Sequence, residues 1–505
     1  MNLMMLLEMA ASGFGERVAV QNAEASLSYS ELFHAAGRAA QRVQSTGATR
    51  LAVLDVSSLA VPIGLFASAW AGVPFVPLNY RLTGTELERL LAEISPAVLI
   101  TDSDRSATLS HLSGLTVLSR EEFISESNAD GPDPSGEWPM DPDEIAILLY
   151  TSGTTGAPKA AVLRHKHLVS YILGSVEFMS ADEQAAALVC VPPYHIAGMA
   201  AIASSVYSGR RIVQLANFTP NAWLDLARKE RITNAFVVPT MLARIVDALD
   251  EDDTSDLPEL RAISYGGGKM PLALIERALT LFPDTNFTNA YGLTETSSTV
   301  TVLGPDDHRT AAASDDPQVQ RRLVSVGKAL PTIEIEIRDE NGKALGPDES
   351  GEIYVRGEQV SGEYLSKGSM LESGGWFPTR DGGSLDADGY LFLEGRVDDV
   401  IVRGGENLSP GEIEDVLLTH ESVADAAVVG VPNERWGEAV VAVIVLRAGR
   451  KAVDNELELE LQGWVKDRLR SSRTPQRIEF VSELPYNETG KLLRRVVRAQ
   501  LVEAN

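Results

Sequence analysis

The sequence predicts an α/β fold with a large N-terminal domain of helix-covered, mostly parallel sheets, a β-rich subdomain and a small α+β C-terminal domain. Three observations indicate this fold class. Strand-like and helix-like segments alternate through the middle of the chain, period-2 runs with glycine-rich turns occupy residues 324–397, and a short α/β/β/α/β unit follows Arg396. A chain of 505 residues is long enough for two or three such units.

Apolar runs bounded by turn residues define the elements of the N-terminal domain. Residues 1–15 predict an amphipathic first helix, and residues 51–79 predict a strand, a buried helix and a second strand. Further along, short apolar runs predict buried strands at 144–150, 186–191, 210–215, 234–238 and 261–265. Helical spacing predicts helices at 165–179, 223–232, 242–249 and 272–282. Strands that alternate with helices are typical of parallel sheets covered by helices.

The pattern changes in the last third of the chain. Alternating runs at 333–339 and 351–357 predict antiparallel strands. After them come a helix at 412–418, strands at 424–431 and 439–446, and a helix at 457–469. We therefore place the domain boundary near Val397–Asp399, which gives an N-terminal domain of residues 1–397 with its β-rich part at 324–397, and a C-terminal domain of residues 398–505.

Charge and cysteine content exclude several classes of function. The chain has 44 basic and 71 acidic residues, a net charge of −27, so a broad nucleic-acid or anionic-membrane interface is not expected. Its single cysteine, Cys190, excludes an intrachain disulfide and a multi-cysteine metal site, and a reducing, cytoplasmic compartment is expected. The uncharged run from Val56 to Tyr80 is interrupted by prolines and glycines, which favours a buried core over a membrane span.

A loop rich in glycine and hydroxyl side chains follows the strand predicted at 144–150. Glycines let the backbone approach a ligand closely, successive N–H groups and hydroxyls can surround phosphate oxygens, and a lysine adds positive charge. It is not a Walker A loop, because GxxxxGK[ST] is absent. The alternative is a flexible linker, but linkers seldom join a buried strand to a helix. The candidate phosphate-binding residues are Thr151, Ser152, Gly153, Thr154, Thr155, Gly156 and Lys159.

Four segments together resemble the motifs of one family. TSGTTGAPK at 151–159 resembles the phosphate-binding motif of the adenylate-forming ligases, which include acyl-CoA synthetases, coumarate-type ligases, luciferases and peptide-synthetase adenylation domains. YGLTET at 291–296, GYLFLEGRVDDVIVRGGENLSPGEIE at 389–414 and PYNETGKLLRR at 485–495 resemble the other motifs, in the expected order. The resemblance covers almost the whole chain and implies the family's fold and activity.

The resemblance assigns most of the nucleotide site. It implies that Tyr291 stacks on adenine, Thr294 contacts the α-phosphate and Glu295 coordinates Mg²⁺, a role that suits a hard oxygen ligand. Taken alone, Tyr291 would be read as a core aromatic and Glu295 as a solvated acid. It also implies ribose contacts from Asp381 and Arg396. The remaining nucleotide-binding residues are Gly267, Ala290 and Gly292. Arg380 departs from the family pattern, and we expect it to pair with a nearby acid rather than to bind phosphate.

The C-terminal motifs imply catalysis, movement and coenzyme A binding. Lys491 resembles the catalytic lysine that bridges the substrate carboxylate and the α-phosphate, where fixed positive charge stabilises the transition state. Asp398 occupies the hinge about which the mobile C-terminal domain pivots between two poses. Arg403, Gly404, Gly405 and Arg473 are the candidate coenzyme A residues. The alternatives are a plain turn before a helix that begins near Ser409–Pro410, and a solvated basic turn around Arg473.

The candidate acyl pocket is also assigned by resemblance. Its residues are Tyr194, His195, Val238, Gly266, Gly267, Gly268 and Lys269. His195 is placed near the substrate carboxylate, and the alternative is a structural histidine. Amino-acid-activating relatives carry an aspartate beside this aromatic position, and Tyr194–His195–Ile196 has none. Because no clear arginine for a second carboxylate is present, although Lys269 could serve, we expect an apolar monocarboxylic acid that is fatty, aromatic or polycyclic.

The resemblance predicts an ATP-dependent acyl-CoA synthetase that uses Mg²⁺ and coenzyme A. Its catalytic residues would be Lys491, Thr294, Glu295 and His195, with Glu295 as the metal ligand. A carboxylate would attack the α-phosphorus of ATP, and a thiol would then attack the acyl adenylate. One alternative is an adenylating enzyme that loads an acyl carrier protein, and another is a nucleotide-binding sensor without catalysis. The expected partners are a small carboxylic acid, ATP and coenzyme A, and we expect a monomer or a homodimer.

Overall fold

The computed structural model describes residues 1–129, 134, 136–151, 159–249, 256–403, 406–433, 435–447, 455–486 and 492–503. It confirms the predicted fold class, with a large N-terminal part of parallel-rich sheets, a β subdomain and a C-terminal domain. Elements are numbered in chain order.

Strands occupy most of the positions at which short apolar or alternating runs predicted them. Their bounds are β1 Val18–Gln21, β2 Ser26–Ser28, β3 Leu51–Leu54, β4 Phe75–Pro77, β5 Ala97–Thr101, β6 Leu115–Ser119, β7 Ile145–Thr151, β8 Lys159–Arg164, β9 Ala186–Val189, β10 Arg211–Gln214, β11 Asn234–Val237, β12 Ala262–Gly266, β13 Asn286–Leu293, β14 Ser298–Leu303, β15 Lys328–Ala329, β16 Glu334–Arg338, β17 Gly351–Arg356, β18 Glu363–Tyr364, β19 Gly368–Ser369, β20 Phe377–Leu385, β21 Leu391–Arg396, β22 Ile401–Arg403, β23 Glu406–Leu408, β24 Val423–Asn433, β25 Gly437–Leu446 and β26 Arg477–Val481.

Helices fill the intervals between the strands, and the helices predicted from the sequence are among them. Their bounds are α1 Met4–Phe14, α2 Tyr29–Thr46, α3 Ala60–Ala71, α4 Gly84–Ile94, α5 Ser103–Leu109, α6 Arg120–Ser127, α7 His165–Ser175, α8 Ile196–Ser208, α9 Pro220–Lys229, α10 Pro239–Asp247, α11 Leu272–Leu281, α12 Pro305–Ala313, α13 Pro317–Gln320, α14 Pro410–Leu418, α15 Asn455–Lys466 and α16 Arg494–Glu503. Short 3₁₀ turns lie at Thr294–Thr296, Arg321–Val324, Val397–Asp399 and Ser471–Arg473. Helix α14 begins after Ser409 with Pro410 in its first turn, as expected.

Two large sheets form the N-terminal part of the described chain. One has the strand order β15-β14-β13-β12-β11-β9-β10-β1-β2 and is parallel from β13 to β1. The other has the order β19-β18-β8-β7-β4-β3-β5-β6 and is parallel from β7 to β6. The strands at the parallel cores of both sheets are almost continuously buried, because helices cover them.

The β-rich region and the C-terminal region have separate sheets. Strands β16, β17, β20 and β21 form an antiparallel sheet, as the period-2 runs predicted. Strands β22 to β26 form another sheet, in which β24 and β25 pair along a ten-residue antiparallel register and β26 adds in parallel. Two hydrophobic clusters consist only of residues from Ile401 onward, so the C-terminal region has its own core.

The candidate phosphate loop connects different elements from those we expected. It was predicted to join a strand to a helix, but the next described element, β8, is a strand that pairs antiparallel with β7. Helix α7 follows only after β8. The run 159–164 is short, apolar and buried, and the sequence analysis did not distinguish it from the loop that precedes it. The strands on either side of the candidate loop, β7 and β8, therefore pair with each other at the edge of the parallel core.

Candidate active site

A cavity of about 1390 Å³ lies where the two large sheets, the β-rich sheet and the C-terminal region meet. Strand ends of the nine-stranded sheet form one wall, and helix α8 forms another. Its lining includes charged side chains such as Lys159, Glu295 and Arg396, and mainly small side chains line the part along α8. Of the residues predicted from sequence, those that line it are Thr151, Lys159, His195, Val238, Gly267, Ala290, Gly292, Thr294, Glu295, Arg396 and Asp398.

The hairpin of β7 and β8 brings Thr151 and Lys159 to the cavity. They are the register partners at the end of the β7–β8 pair where the chain passes from one strand to the other, and the Thr151 hydroxyl donates to the Lys159 carbonyl at 3.4 Å. A lysine and a hydroxyl side by side suit a phosphate group. The other predicted loop residues, Ser152, Gly153, Thr154, Thr155 and Gly156, lie outside the described residues.

Glu295 is fixed at the cavity by its backbone and by its side chain. It lies in the 3₁₀ turn that follows β13, and its carbonyl accepts hydrogen bonds from the backbone N–H groups of Ser361 and Gly362 at 2.9 and 3.0 Å. Its carboxylate accepts a hydrogen bond from the Tyr364 hydroxyl. Burial and this carboxylate both raise the pKa of Tyr364, so the phenol keeps its proton and remains a donor. Strand β18 places Tyr364 there by pairing with β8.

Tyr291, Asp381 and Arg396 form a connected polar array beside the cavity. The Tyr291 hydroxyl donates to Asp381 at 2.8 Å, and Arg396 Nε lies 2.9 Å from the other carboxylate oxygen. Asp381 and Arg396 are cross-strand partners on β20 and β21, which explains the pair. Among the three, Arg396 lines the cavity, whereas the Tyr291 ring packs in the core of the β-rich region. The structure thus places Tyr291 and Asp381 behind Arg396.

His195 lies at the junction of the polar and apolar parts of the cavity. It is the N-cap residue of α8, and its ring is 4.4 Å from the buried Tyr194 ring. Its Nε2 atom is enclosed and has no hydrogen-bond partner within the described residues. Burial, with Arg81 nearby, lowers the pKa of His195 to about 4, so the imidazole is neutral near pH 7. A neutral ring with a free nitrogen at this junction can bind a substrate oxygen.

Only part of the predicted acyl pocket lies on the cavity wall. Gly267 has φ +79°, where glycine is favoured, and it lines the cavity with Val238. Gly266 does not line it; a Cβ there would lie 2.1 Å from the Ala290 carbonyl, so this glycine allows β12 and β13 to pack closely. Neither Tyr194 nor Gly268 is on the wall.

Lys269 contacts the C-terminal region rather than the acyl cavity. Its Nζ lies 2.6 Å from the Asp415 carboxylate and 3.3 Å from the Gly411 carbonyl, both on helix α14. The sequence analysis offered Lys269 as the cation for a second substrate carboxylate. In the structure this side chain already has a carboxylate partner, on another part of the chain.

The residue that departs from the family pattern contacts the predicted hinge. Arg380 donates to Asp398 at 2.6 Å and lies 3.8 Å from Glu352, which confirms that it pairs with nearby acids. Its φ of +61° is unusual for a residue with a side chain. Arg380 and Asp398 both line the cavity. The ion pair therefore connects the β-rich sheet to the 3₁₀ turn at Val397–Asp399.

The C-terminal region closes one side of the cavity. Leu492, Leu493, Arg494 and Arg495 line it. Lys491 precedes this stretch and, with Gly404 and Gly405, lies outside the described residues. Of the other predicted coenzyme A residues, Arg403 donates to the Ser472 carbonyl and Arg473 pairs with Glu412. Neither lines the cavity.

Three candidate functional residues were not predicted from the sequence. Tyr364 holds Glu295, Arg210 lines the cavity beyond the far end of α8, and Trp436 is 40% exposed beside Arg403 and Arg435. Tyr364 lies in a two-residue strand that has no periodicity to find. Arg210 is the first of two adjacent arginines, and no sequence signal separates it from Arg211. For Trp436, the arginine directly before it was a sequence signal that could have been used.

The side chains present fit ATP with a magnesium ion. Among the described residues, no three histidine, cysteine, aspartate or glutamate side chains cluster to hold a metal. Mg²⁺ in nucleotide sites is typically held by one or two carboxylates together with phosphate oxygens and water. Glu295 lines the same cavity as Lys159 and Thr294; it would supply such a carboxylate, and the remaining ligands would come from the nucleotide. Among the described helices, none has the length and apolar character that a bilayer span requires.

Comparisons with known proteins agree with this site. The family model "AMP-binding enzyme" matches residues 7–365, and "AMP-binding enzyme C-terminal domain" matches residues 412–491. A feruloyl-CoA synthase from Amycolatopsis sp is 32% identical over 487 residues, covering 95% of this chain and 95% of that protein. A fatty acid–[acyl-carrier-protein] ligase from Streptomyces coeruleorubidus is 32% identical, covering 94% and 91%.

A solved structure resembles the whole chain. It is the o-succinylbenzoate CoA synthetase of Bacillus subtilis in complex with its acyl-adenylate intermediate, with a TM-score of 0.83, 29% identity and coverage of 98% of this chain and 97% of that one. The same enzyme in complex with ATP and a magnesium ion gives a TM-score of 0.82, 30% identity and coverage of 97% and 98%. The chain therefore belongs to the AMP-binding enzyme family of adenylate-forming ligases, and it is an ATP-dependent, AMP-forming acid–CoA ligase that uses Mg²⁺.

Proposed function

We propose that this ligase activates a long, largely apolar carboxylic acid, which lies in the channel along α8 while ATP occupies the polar end of the cavity. One observation carries the proposal: a single continuous cavity joins Lys159 and Glu295 to a wall of small side chains on α8. The alanines at 197, 200 and 201 leave room beside the helix that larger side chains would fill. An extended acyl group fits this shape.

The polar end supplies the groups that adenylation needs. A carboxylate oxygen attacks the α-phosphorus of ATP, the bond to the bridging oxygen breaks, and pyrophosphate leaves. We assign Lys159 and Thr294 to the phosphates, Glu295 to Mg²⁺ and Arg396 to the nucleotide, with Tyr291 and Asp381 positioning Arg396. When bound, Mg²⁺ offsets the negative charge of the phosphates. His195 faces the carboxylate as a neutral hydrogen-bonding group. All of these groups act by position and charge.

The C-terminal region contributes Lys491 and the second half-reaction. We propose that residues 1–397 and 398–505 are separate domains and that Asp398 is the hinge. Two core clusters built only from residues after 400 support this division. The residues next to Lys491 line the cavity, so the described arrangement suits adenylation, in which this lysine would bridge carboxylate and α-phosphate. After rotation, a thiolate sulfur attacks the acyl carbon and AMP leaves.

The surface around Arg403 is the proposed coenzyme A site. Arg403 and Arg435 flank the exposed face of Trp436, at 5.7 and 5.2 Å from the ring. An aromatic face between two guanidinium groups suits an adenine ring with phosphates. Arg473 already pairs with Glu412, which favours a structural role for it. We keep Gly404 and Gly405 as the proposed passage for the pantetheine arm.

A carrier protein is the second candidate acceptor. The 32% identity to a fatty acid–[acyl-carrier-protein] ligase supports it, and the chemistry of the two acceptors is the same. The basic groups around Trp436 favour coenzyme A, whose phosphates they would bind.

We further propose that the enzyme acts in the cytoplasm as a monomer or a homodimer. Cys190, the single cysteine, is buried, and burial raises the pKa of its thiol to about 12. Such a thiol is inert, so nothing in the cysteine usage requires an oxidising compartment.

Pyrophosphate release tests the proposed function. Purified enzyme is given ATP, Mg²⁺ and a panel of short, aromatic and long-chain acids, with and without coenzyme A, and the acyl-CoA mass is measured. We expect the fastest release with long apolar acids and a matching acyl-CoA product. Pyrophosphate release without an acyl-CoA product would indicate that the acyl acceptor is a carrier protein and not coenzyme A. Preference for short acids would contradict the channel assignment.

A further inference from the structure

The far end of the acyl channel contains an arginine for which the described residues supply no carboxylate partner. Arg210 follows Gly209, the C-cap residue of α8, and lines the cavity. Its Nε is enclosed and has no hydrogen-bond partner, and no ion pair of its guanidinium occurs within the described residues. Burial lowers the pKa of Arg210, and Tyr29 is the group that opposes this effect. A half-buried guanidinium that lacks a counter-charge is energetically costly.

Two other half-buried arginines, Arg211 and Arg164, have carboxylate partners. Arg211, the next residue, lies 3.1 Å from Glu230 and donates to Gln21 at 2.9 Å. Arg164 lies 2.7 Å from Glu363. Arg210 differs from both, although the chain has many more acidic than basic residues. At this position in the cavity, the described residues therefore supply no carboxylate to the guanidinium of Arg210.

The backbone at Arg210 is held in place. The buried Tyr29 hydroxyl donates to the Arg210 carbonyl at 2.9 Å and lies 3.3 Å from the Ser205 carbonyl. The Arg210 N–H donates to the Ser205 carbonyl at 2.9 Å. These bonds fix the point from which the side chain enters the cavity, as a binding site requires.

The channel separates Arg210 from the reacting end by the length of α8. One face of the helix lines the cavity, with Ile196, Ala200 and Ser204 spaced by four residues and Ala197, Ala201 and Ser205 beside them. The helix has 13 residues, so about 20 Å separate His195 from Arg210. The acids that line the cavity, Glu295, Asp398 and Asp399, all belong to the nucleotide end or to the hinge turn.

The surroundings compensate only part of the charge on Arg210. The C-terminus of α8 carries about half a negative charge, which leaves a net positive potential. Ser204 and Ser205 add hydroxyl groups to this part of the wall. A carboxylate suits such a site better than a neutral oxygen, because a charge-assisted hydrogen bond is about twice as strong as a neutral one.

We propose that Arg210 forms an anion subsite at the far end of the channel, and that the preferred substrate is an elongated acid with a second carboxylate about 20 Å from the one that is activated. This inference rests on the proposed function and deepens it. The expectation of a monocarboxylic acid depended on finding no clear arginine in the sequence, and Arg210 supplies one.

Substrate selectivity tests the subsite. The wild-type enzyme is assayed for kcat/KM with hexadecanedioic acid, its monomethyl ester, hexadecanoic acid and the ω-hydroxy acid of the same length. We expect the diacid to exceed the monomethyl ester by about 10- to 100-fold, the range of one charge-assisted hydrogen bond. Arg210→Met should bring this ratio to about 1, since the counter-charge is gone. Arg210→Lys should keep an intermediate ratio, because it retains the charge.

Arg261→Met is the matched control. Arg261 pairs with Asp182 on the surface, away from the cavity. The ratio of kcat/KM for the diacid to that for the monomethyl ester should therefore be the same in Arg261→Met as in the wild type. Each ratio compares substrates on one protein sample, so partial unfolding of a variant cancels. A wild-type ratio near or below 1, an unchanged ratio in Arg210→Met, or equal use of the ω-hydroxy acid would overturn the inference. Activation of hexadecanoic acid in those cases would leave the proposed function intact, whereas no pyrophosphate release with any acid would contradict both.

Discussion

His195 lies between the two parts of the cavity, and its imidazole ring is neutral. Its pKa of about 4 follows from burial and from Arg81, so it acts as a fixed hydrogen-bonding group and not as a proton shuttle at neutral pH. The sequence could suggest this position but not its protonation. Protonation depends on enclosure by side chains from distant parts of the chain.

The pH dependence of adenylation tests the state of His195. Since its pKa is lowered from 6.5 to about 4, its protonation should begin only as the pH falls below about 5. We expect no inflection near pH 6.5 in kcat/KM for pyrophosphate release. His195→Asn should lower the rate about 10- to 100-fold and leave the shape of the profile unchanged between pH 6 and 8. An inflection near pH 6.5 that disappears in His195→Asn would contradict the assignment.

Arg380 combines a left-handed backbone with an ion pair to Asp398, the proposed hinge residue. Replacing Arg380 with glycine removes the strain of its positive φ, which stabilises the folded protein. It also raises the conformational entropy of the unfolded chain, which offsets that gain, so the net change in stability should be small. The exposed pair to Asp398 contributes at most about 1 kcal/mol. That amount is enough to shift an equilibrium between two domain poses about two- to five-fold.

We therefore expect Arg380→Gly to favour thioester formation. The measurement is the ratio of thioester formation from supplied acyl adenylate to pyrophosphate release, which should rise about two- to five-fold. Arg231→Gly is a close control, because Arg231 has φ +51° and a 2.6 Å ion pair with Glu259 far from the hinge. The same ratio in both variants would show that the Arg380–Asp398 pair does not hold the described pose.

At the scale of elements, two buried histidines accept backbone hydrogen bonds in the first turn of helix α7. His165 accepts a hydrogen bond from the Leu3 N–H at Nδ1, and His167 accepts one from the Arg164 N–H at Nδ1. Both bonds need a neutral imidazole. Burial lowers the pKa of each ring from 6.5 to about 4.

Stability should therefore fall as the pH decreases from 6.5 towards 4. In this range the unfolded chain binds more protons than the folded one, and each histidine should cost on the order of 1–2 kcal/mol by pH 5. The double variant His165→Asn/His167→Asn keeps a hydrogen-bond acceptor at both positions, and neither acceptor can be protonated in this range. Its free energy of unfolding, measured with denaturant, should therefore fall less between pH 7.5 and 5 than that of the wild type. His111→Asn, at an exposed site, is the control. Equal losses in the wild type and the double variant would refute this explanation.

The sequence predicted regular elements better than irregular ones. Strands such as β9 and β12, and helices α9 and α11, occur within a few residues of the predicted ranges, because buried apolar runs have clear periods. Strand β8 and the two-residue strand β18 were missed. Strand β8 pairs with the neighbouring strand β7, but its run was not distinguished from the loop before it. Strand β18 pairs with β8 through Tyr364 and Ala161, which are about 200 residues apart, and no local pattern records such a contact.

The whole molecule shows how far a family motif locates a site. Motif residues Lys159, Thr294 and Glu295 do meet at one cavity, although more than 130 residues separate the first from the others. Lys269 does not join them, because Asp415 of the C-terminal region binds it. Arg210 does, because α8 carries the chain from His195 to the far end of the channel. The family motifs predicted that Lys159, Thr294 and Glu295 meet. The positions of Lys269 and Arg210 depend on tertiary packing, which the motifs do not record.

A crystal structure with a long-chain acyl sulfamoyl adenosine, a stable mimic of the acyl adenylate, would show directly where the substrate lies. We expect the sulfamate beside Lys159 and Thr294, the carbonyl near His195, and the acyl chain along α8 towards Arg210. An acyl chain that leaves the cavity in another direction, or that is excluded while the nucleotide binds, would contradict the central claim that this channel holds the substrate.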